Sequence, residues 1–145
     1  MKIGIGNDHH GVHLKQVISA YLEQQGYEVI NFGTDTTENV DYTTYAFQVG
    51  EAVRDKKIDY GILICGSGIG MSIACNKVRH VRCAKVNNVH EVEMTRRDNN
   101  ANVMTLGETT PDDIAIEMVK TFLNTPFMNN ERYQRRVKEI DNYDN

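Results

Sequence analysis

Tyr60-Gly61-Ile62-Leu63-Ile64-Cys65-Gly66-Ser67-Gly68-Ile69-Gly70-Met71-Ser72-Ile73-Ala74-Cys75-Asn76-Lys77-Val78 is the stretch that decides the fold. Tyr60 to Cys65 is an apolar run of the kind buried on both faces of a parallel sheet. Glycines at 66, 68 and 70 follow, and they let the backbone turn sharply and approach a ligand closely. Met71 to Val78 then reads as a helix. Strand, glycine loop and helix start, in that order, form a cradle for an anion, because free N–H groups and the helix dipole favour negative charge. A cysteine at the lip of such a cradle is expected to have its thiolate stabilised.

The same alternation extends outward in both directions. Upstream, Lys2 to Gly6 predicts a strand ending in a polar loop, Asn7 to Gly11. Leu14, Val17, Ile18, Tyr21 and Leu22 mark one face of a helix, and Gly26 sits where a helix-ending left-handed residue belongs. Tyr27 to Phe32 predicts a strand. Tyr42, Tyr45, Ala46, Val49 and Val53 predict a second helix, with Asp41 as N-cap. Downstream, Val81 to Val86 and Asn102 to Leu106 read as strands around a polar helix at Val89 to Arg97. Thr110-Pro111-Asp112-Asp113 predicts a helix start with Thr110 as N-cap and Pro111 in the first position. Glu131 to Tyr143 reads as a last helix. Strictly alternating strands and helices predict a three-layer α/β/α sandwich with a Rossmann-like parallel sheet of about five strands. The expectation is one domain over residues 1–145.

Composition narrows the function. The chain has 145 residues, a quarter of them charged and 40 % apolar, with a net charge of −4. That balance argues against nucleic-acid binding, which needs a basic face. No apolar run approaches the roughly 20 residues of a membrane span. Cys65, Cys75 and Cys83 are an odd number without metal-binding spacing, so reduced thiols in the cytoplasm are expected.

Several residues carry candidate chemistry. In such sheets ligands sit outside the carboxyl ends of the strands, and both Asp8-His9 and Cys65–Gly70 follow strands at that edge. Cys65 as thiolate could abstract a proton or attack carbon; the plain alternative is a small buried strand residue. Cys75 and Cys83 read as core. The loop Gly66 to Gly70 reads as an oxyanion hole or, equally, as a tight turn. Asp8-His9-His10 suits a polyhydroxyl ligand better than a metal, since no third metal ligand stands out. Its alternative is a solvated loop capped by Asp8. Arg132 and Arg136 share a helix face and could bind phosphate, but the pattern alone favours an ordinary solvated face. Arg96 to Asn102 is either turn chemistry or a polar group aimed into the strand-edge pocket.

Taken together, Gly4-Ile5-Gly6-Asn7-Asp8-His9, Asp41-Tyr42, the motif Gly61 to Val78, Asn99-Asn100-Ala101-Asn102-Val103 and Glu131 to Val137 resemble ribose-5-phosphate isomerase B. The galactose-6-phosphate isomerase subunits belong to the same family. The resemblance implies an aldose–ketose isomerase without metal or organic cofactor, with a sugar phosphate as substrate. It implies that Cys65 is the base that moves a proton between C1 and C2 through a cis-enediolate. Gly66, Gly68, Ile69 and Gly70 would stabilise the enediolate oxygens, and Ser67 would support the thiolate. Asp8, His9 and Asn99 match sugar contacts, and Arg132 and Arg136 match phosphate-binding arginines. The family implies a homodimer or homotetramer with sites shared between subunits, the C-terminal helix, about residues 129–143, packing on a partner subunit.

Two positions depart from the family pattern. Asp98 stands where many members have a histidine that opens the sugar ring, and Thr109 where some have arginine. Asp98 could take over that proton transfer if burial raises its pKa, or His90 could. Ribose 5-phosphate is the expected substrate. The alternatives are a hexose 6-phosphate, with or without a second kind of subunit, and a non-catalytic sugar-phosphate-binding module.

Overall fold

A computed structural model describes residues 1–144. Among them are five strands: β1 (Lys2–Asn7), β2 (Glu28–Asn31), β3 (Tyr60–Cys65), β4 (Cys83–Lys85) and β5 (Val103–Gly107). Six α-helices connect and flank them: α1 (Val12–Gln24), α2 (Tyr42–Arg54), α3 (Ile69–Cys75), α4 (Val89–Asn99), α5 (Asp112–Asn124) and α6 (Glu131–Asn142). All strands pair in parallel, in the order β2-β1-β3-β5-β4. The expected α/β/α sandwich around a five-stranded Rossmann-like sheet is what forms.

Period-two alternation divides the core. Ile62 and Ile64 face one side of the sheet, packing with Ile3, Ile5, Leu14, Ile18, Met118 and Phe122 beneath α1 and α5. Leu63 and Cys65 face the other side, with Val49, Met71 and Val103 beneath α2 and α3. Residues two apart in a strand share a face, so Cys65 is directed toward the helix that follows its own strand. Gly61 is needed where it stands: a Cβ there would lie 2.5 Å from Val49 Cγ1.

The strand order creates a crevice. From β1 the chain moves outward to β2, whereas from β3 it moves the opposite way toward β4. The loops that leave the neighbouring strands β1 and β3 therefore diverge. Such a switch point is where open α/β sheets bind ligands.

Some local expectations shift. Helix α3 begins at Ile69 rather than Met71 and ends at Cys75 rather than Val78. Gly68 takes the turn at φ +80°, so the chain enters the helix two residues sooner. β4 is only Cys83–Lys85, short as befits an edge strand. Thr110 is not the cap of α5: its hydroxyl donates to Gly107 O at 2.8 Å, and Pro111 occupies the N-cap position. Asp41 precedes α2 as expected but makes no side-chain capping bond. Gly26 is left-handed at φ +86°, as its place after α1 requires.

Candidate active site

Three strand ends meet at one height. Asn7 is in register with Ile64, and Cys65 with Gly107. The residues that leave these strands, Asp8, Gly66 and Glu108, therefore emerge side by side. The Asp8 N–H donates to Ile64 O at 3.3 Å, and the Glu108 N–H donates to Cys65 O at 3.0 Å and to Gly66 O at 3.2 Å. Backbone bonds thus fix both flanking loops to the end of β3.

Cys65 is 4 % exposed at the base of this junction. The Gly68 N–H turns back to donate to its Sγ at 3.2 Å. The left-handed Gly68 makes that possible, and any Cβ there would press on the Leu106 backbone at 3.0 Å. Thr105 Oγ1 donates to Gly68 O at 2.7 Å, which holds the turn from below. Ser67 is exposed, and its Oγ accepts the Ile69 N–H at 3.2 Å. Ile69 is 54 % exposed. Gly70 has Tyr42 against it: a Cβ would lie 2.7 Å from the ring.

The Asp8–Gly11 loop forms the opposite lip. Asp8 is buried and caps a short 3-10 turn, its Oδ1 accepting the His10 N–H at 2.9 Å. The capping expectation for Asp8 is met without removing it from the site. His9 Nδ1 accepts the Val40 N–H at 3.3 Å, which joins the loop before α2 to the site. His10 Nδ1 lies 2.6 Å from Glu108 Oε2.

Asp8, His9 and the segment Cys65–Gly70 are therefore brought together. Asp98, Asn99, Arg132 and Arg136 are not brought to Cys65 within one chain. α4 runs back from the carboxyl end of β4 to the amino end of β5, so its last residues lie at the opposite sheet edge. There the Gly61 N–H donates to Asn102 O at 3.0 Å. The polar junction from Arg96 to Asn102 is thus not aimed into the crevice of its own chain. Arg96 is a structural cation: buried, it donates to Ala101 O at 2.7 Å and to Asn100 Oδ1 at 2.9 Å. Asp98 accepts from Arg97 Nε at 2.9 Å. Asn99 lines a cavity of about 250 Å³ with Asn76, Arg82, Cys83 and Ile140, not the cradle.

α6 is held at that same far edge. The Met128 N–H donates to Arg97 O at 2.9 Å, and Arg82 pairs with Asp141 at 2.8 Å. Arg132 and Arg136 are exposed on it, the Arg132 guanidinium 5.4 Å from the Tyr133 ring centroid. His90 is exposed in the first turn of α4.

The crevice residues Asp8, His9 and Cys65 to Gly70 all fall within the span that a known family matches. The family profile described as Ribose/Galactose Isomerase matches residues 3–140. The chain belongs to this family. Ribose-5-phosphate isomerase B of Clostridium thermocellum superposes with a TM-score of 0.94 at 45 % identity, covering 97 % of this chain and 95 % of that one. Ribose-5-phosphate isomerase B of Escherichia coli (strain K12) is 39 % identical over 140 residues, 96 % of this chain and 93 % of that protein. The D-erythrulose-4-phosphate isomerase of Pectobacterium atrosepticum is 36 % identical over 129 residues, 88 % of this chain and 85 % of that protein. The ribose/galactose isomerase fold thus accounts for nearly the whole chain, and with it the class of enzyme, an aldose–ketose isomerase of the ribose-5-phosphate isomerase B type. No helix among the described residues is long and apolar enough to cross a membrane.

Three crevice residues lay outside the sequence expectations: His10 as a partner of Glu108, Glu108 itself, and Tyr42 as a wall of the cradle. The signal for Glu108 was available, since it follows strand β5 at the carboxyl edge just as Asp8 follows β1.

Proposed function

We propose that this chain interconverts ribose 5-phosphate and ribulose 5-phosphate, with Cys65 as the base. The observation that carries the reading is the buried Cys65 sulfur at the floor of the crevice, receiving the Gly68 N–H at 3.2 Å. An N–H aimed at sulfur is the partner a thiolate needs. Cys65 takes the C2 proton of the open-chain aldose. The C2–H electrons form the C1=C2 bond of a cis-enediolate, and the charge passes to O1. Backbone N–H groups of Gly66 to Gly70 stabilise that oxygen, which is the largest single contribution such a site can make. The O2 proton passes to O1, the O2–H electrons become the second bond of the C2 carbonyl, and the C1=C2 electrons take the proton back from Cys65 at C1, which leaves the ketose. A positioned base contributes typically ~10²–10⁴-fold. Ser67 steadies the turn through Ile69, and Asp8 and His9 grip the sugar hydroxyls.

The phosphate needs cations, and the crevice of one chain offers none of the expected ones. Arg132 and Arg136 sit at the far edge of the sheet, so a second copy delivers them, along with Asp98 and Asn99. The working unit is accordingly a homodimer or a larger homo-oligomer, with α6 as the element that reaches across.

The test is turnover by the purified chain. Ribose 5-phosphate is expected to be converted without added metal, and Cys65→Ala to leave the thermal melt unchanged while turnover falls at least ~100-fold. Full activity in Cys65→Ala would remove the thiolate from the mechanism. Faster turnover of galactose 6-phosphate or allose 6-phosphate would replace the pentose with a hexose.

A further inference from the structure

Isomerisation at C1 and C2 needs an open-chain aldehyde, but an aldopentose phosphate with a free 4-hydroxyl rests in water as a closed hemiacetal ring. Some group must move the anomeric proton to the ring oxygen before Cys65 can act. The residues around the crevice narrow the choice. Asp8 is buried and accepts the His10 N–H. His9 Nδ1 accepts the Val40 N–H, so its one proton sits on Nε2 and its role toward a ligand is to donate. Asp98 lies at the opposite sheet edge of its own chain, and where a second copy delivers it, its carboxylate is already engaged by Arg97 Nε at 2.9 Å.

His10 is placed differently. Its Nδ1 is 2.6 Å from the Glu108 carboxylate, which keeps the proton on Nδ1 and leaves Nε2 as a lone pair. The ring borders the cradle: a Cβ built on Gly66 would lie 3.7 Å from His10 Cδ2 and 3.9 Å from Glu108 Oε2. The histidine side chain is 48 % exposed, so a sugar entering the crevice can reach it. Both members are fixed to the cradle by backbone bonds. Asp8 caps the turn that carries His10, and the Glu108 N–H is shared between Cys65 O and Gly66 O. The two rings of His9 and His10 lie 4.2 Å apart, centroid to centroid. Side by side, they present one Nε2 that donates and one that accepts.

We propose that His10, oriented by Glu108, is the proton shuttle that opens the sugar ring, a role that rests on the isomerase reading above. His10 Nε2 takes the proton from the anomeric hydroxyl. The O–H electrons become the second bond of the C1 carbonyl, and the bond from C1 to the ring oxygen breaks. Its electron pair stays on the ring oxygen, which takes the same proton back from Nε2. No proton is gained or lost, and Glu108 balances the transient imidazolium. Glu108 is a positioning residue, since it acts through His10. His9 Nε2–H supplies a hydrogen bond to a sugar oxygen during the exchange.

The test compares a ring substrate with an acyclic one. Ribose 5-phosphate closes a ring. Erythrose 4-phosphate cannot close a furanose, because its O4 carries the phosphate. Ribulose 5-phosphate is also acyclic, and deuterium entering its C1 from solvent reports the Cys65 step alone. His10→Gln is expected to lower kcat/KM on ribose 5-phosphate about 100-fold. Turnover of erythrose 4-phosphate, or deuterium entry into ribulose 5-phosphate, is expected to stay within about threefold of wild type. Glu108→Gln should show the same split to a lesser degree, a pattern that a purely structural loss would not give. Asp98→Asn should leave the ratio of ring to acyclic rates unchanged. Equal loss on both substrate types in His10→Gln, with an unchanged melting curve, would overturn the shuttle, as would no loss on either. A split in Asp98→Asn instead of His10→Gln would assign the step to Asp98. Wild-type protein that turns over neither substrate type would instead remove the isomerase reading itself.

Discussion

Two cysteines on the α2–α3 side of the sheet show how position decides chemistry. Cys65 ends a strand and meets a backbone donor from Gly68. Cys83 lies on an edge strand with its thiol turned inward. Its pKa is pushed well above the ordinary thiol value of 9.0, first by the hydrogen bond with Cys75 and then by burial. A raised thiol pKa means that the unfolded chain loses its proton first. The stability from Cys83 is therefore fully present below pH 9.0 and drains away as pH rises from there toward the folded value. The slope can reach ~1.4 kcal/mol per pH unit for one group. Urea melts of wild type and Cys83→Ala between pH 8 and pH 10.5 check this: the wild type should lose more stability over about that range than the variant. Parallel curves would show that Cys83 does not titrate differently on folding.

At the scale of elements, α6 stands apart. It buries none of its residues, although its sequence is strongly amphipathic, and Ile140 is 54 % exposed. A helix earns its stability from an apolar face that it covers, and this one covers little in its own chain. Ending the chain after Asn130 should therefore leave the sheet folded, with a cooperative melt. Turnover of ribose 5-phosphate should be lost together with Arg132 and Arg136. Circular dichroism and the isomerase assay on the truncated chain separate the two effects. Collapse of the whole fold would mean that α6 is part of the core. The other helices were legible as elements because each repeats apolar residues on one face. Helix α3 was less so, since glycines at 66, 68 and 70 conceal where a turn ends and a helix begins.

At the scale of the molecule, the proposed roles of Cys65 and the α6 arginines, which lie at opposite sheet edges, predict sharing between copies. Cys65→Ala and Arg136→Ala should each be inactive alone. Unfolded together in equal amounts and refolded, they form hybrids in which one site pairs an intact Cys65 with an intact Arg136. About a quarter of wild-type activity should return, since half of the dimers are hybrid and each holds one good site of two. No recovery, with hybrids confirmed by native mass spectrometry, would place both residues in a single chain's site.

Much of this protein follows from local sequence. The strand periods, the glycine turn after Cys65 and the Asp8 cap are governed by residues within a few positions of one another. Their backbone requirements do not depend on the rest of the chain. The rule that ligands gather at strand carboxyl ends also joined Asp8 to Cys65 correctly. What tertiary structure alone decided is which strand ends are neighbours and which edge each helix end reaches. Glu108 meets His10 only because β5 and β1 flank β3, a pairing between residues 98 positions apart that no local pattern encodes. Asp98 and the α6 arginines lie away from Cys65 because a connecting helix must run antiparallel to its strands. Its last turn is therefore carried to the far edge of the sheet. Side-chain type and spacing set the chemistry available; the order of the strands chose which groups meet.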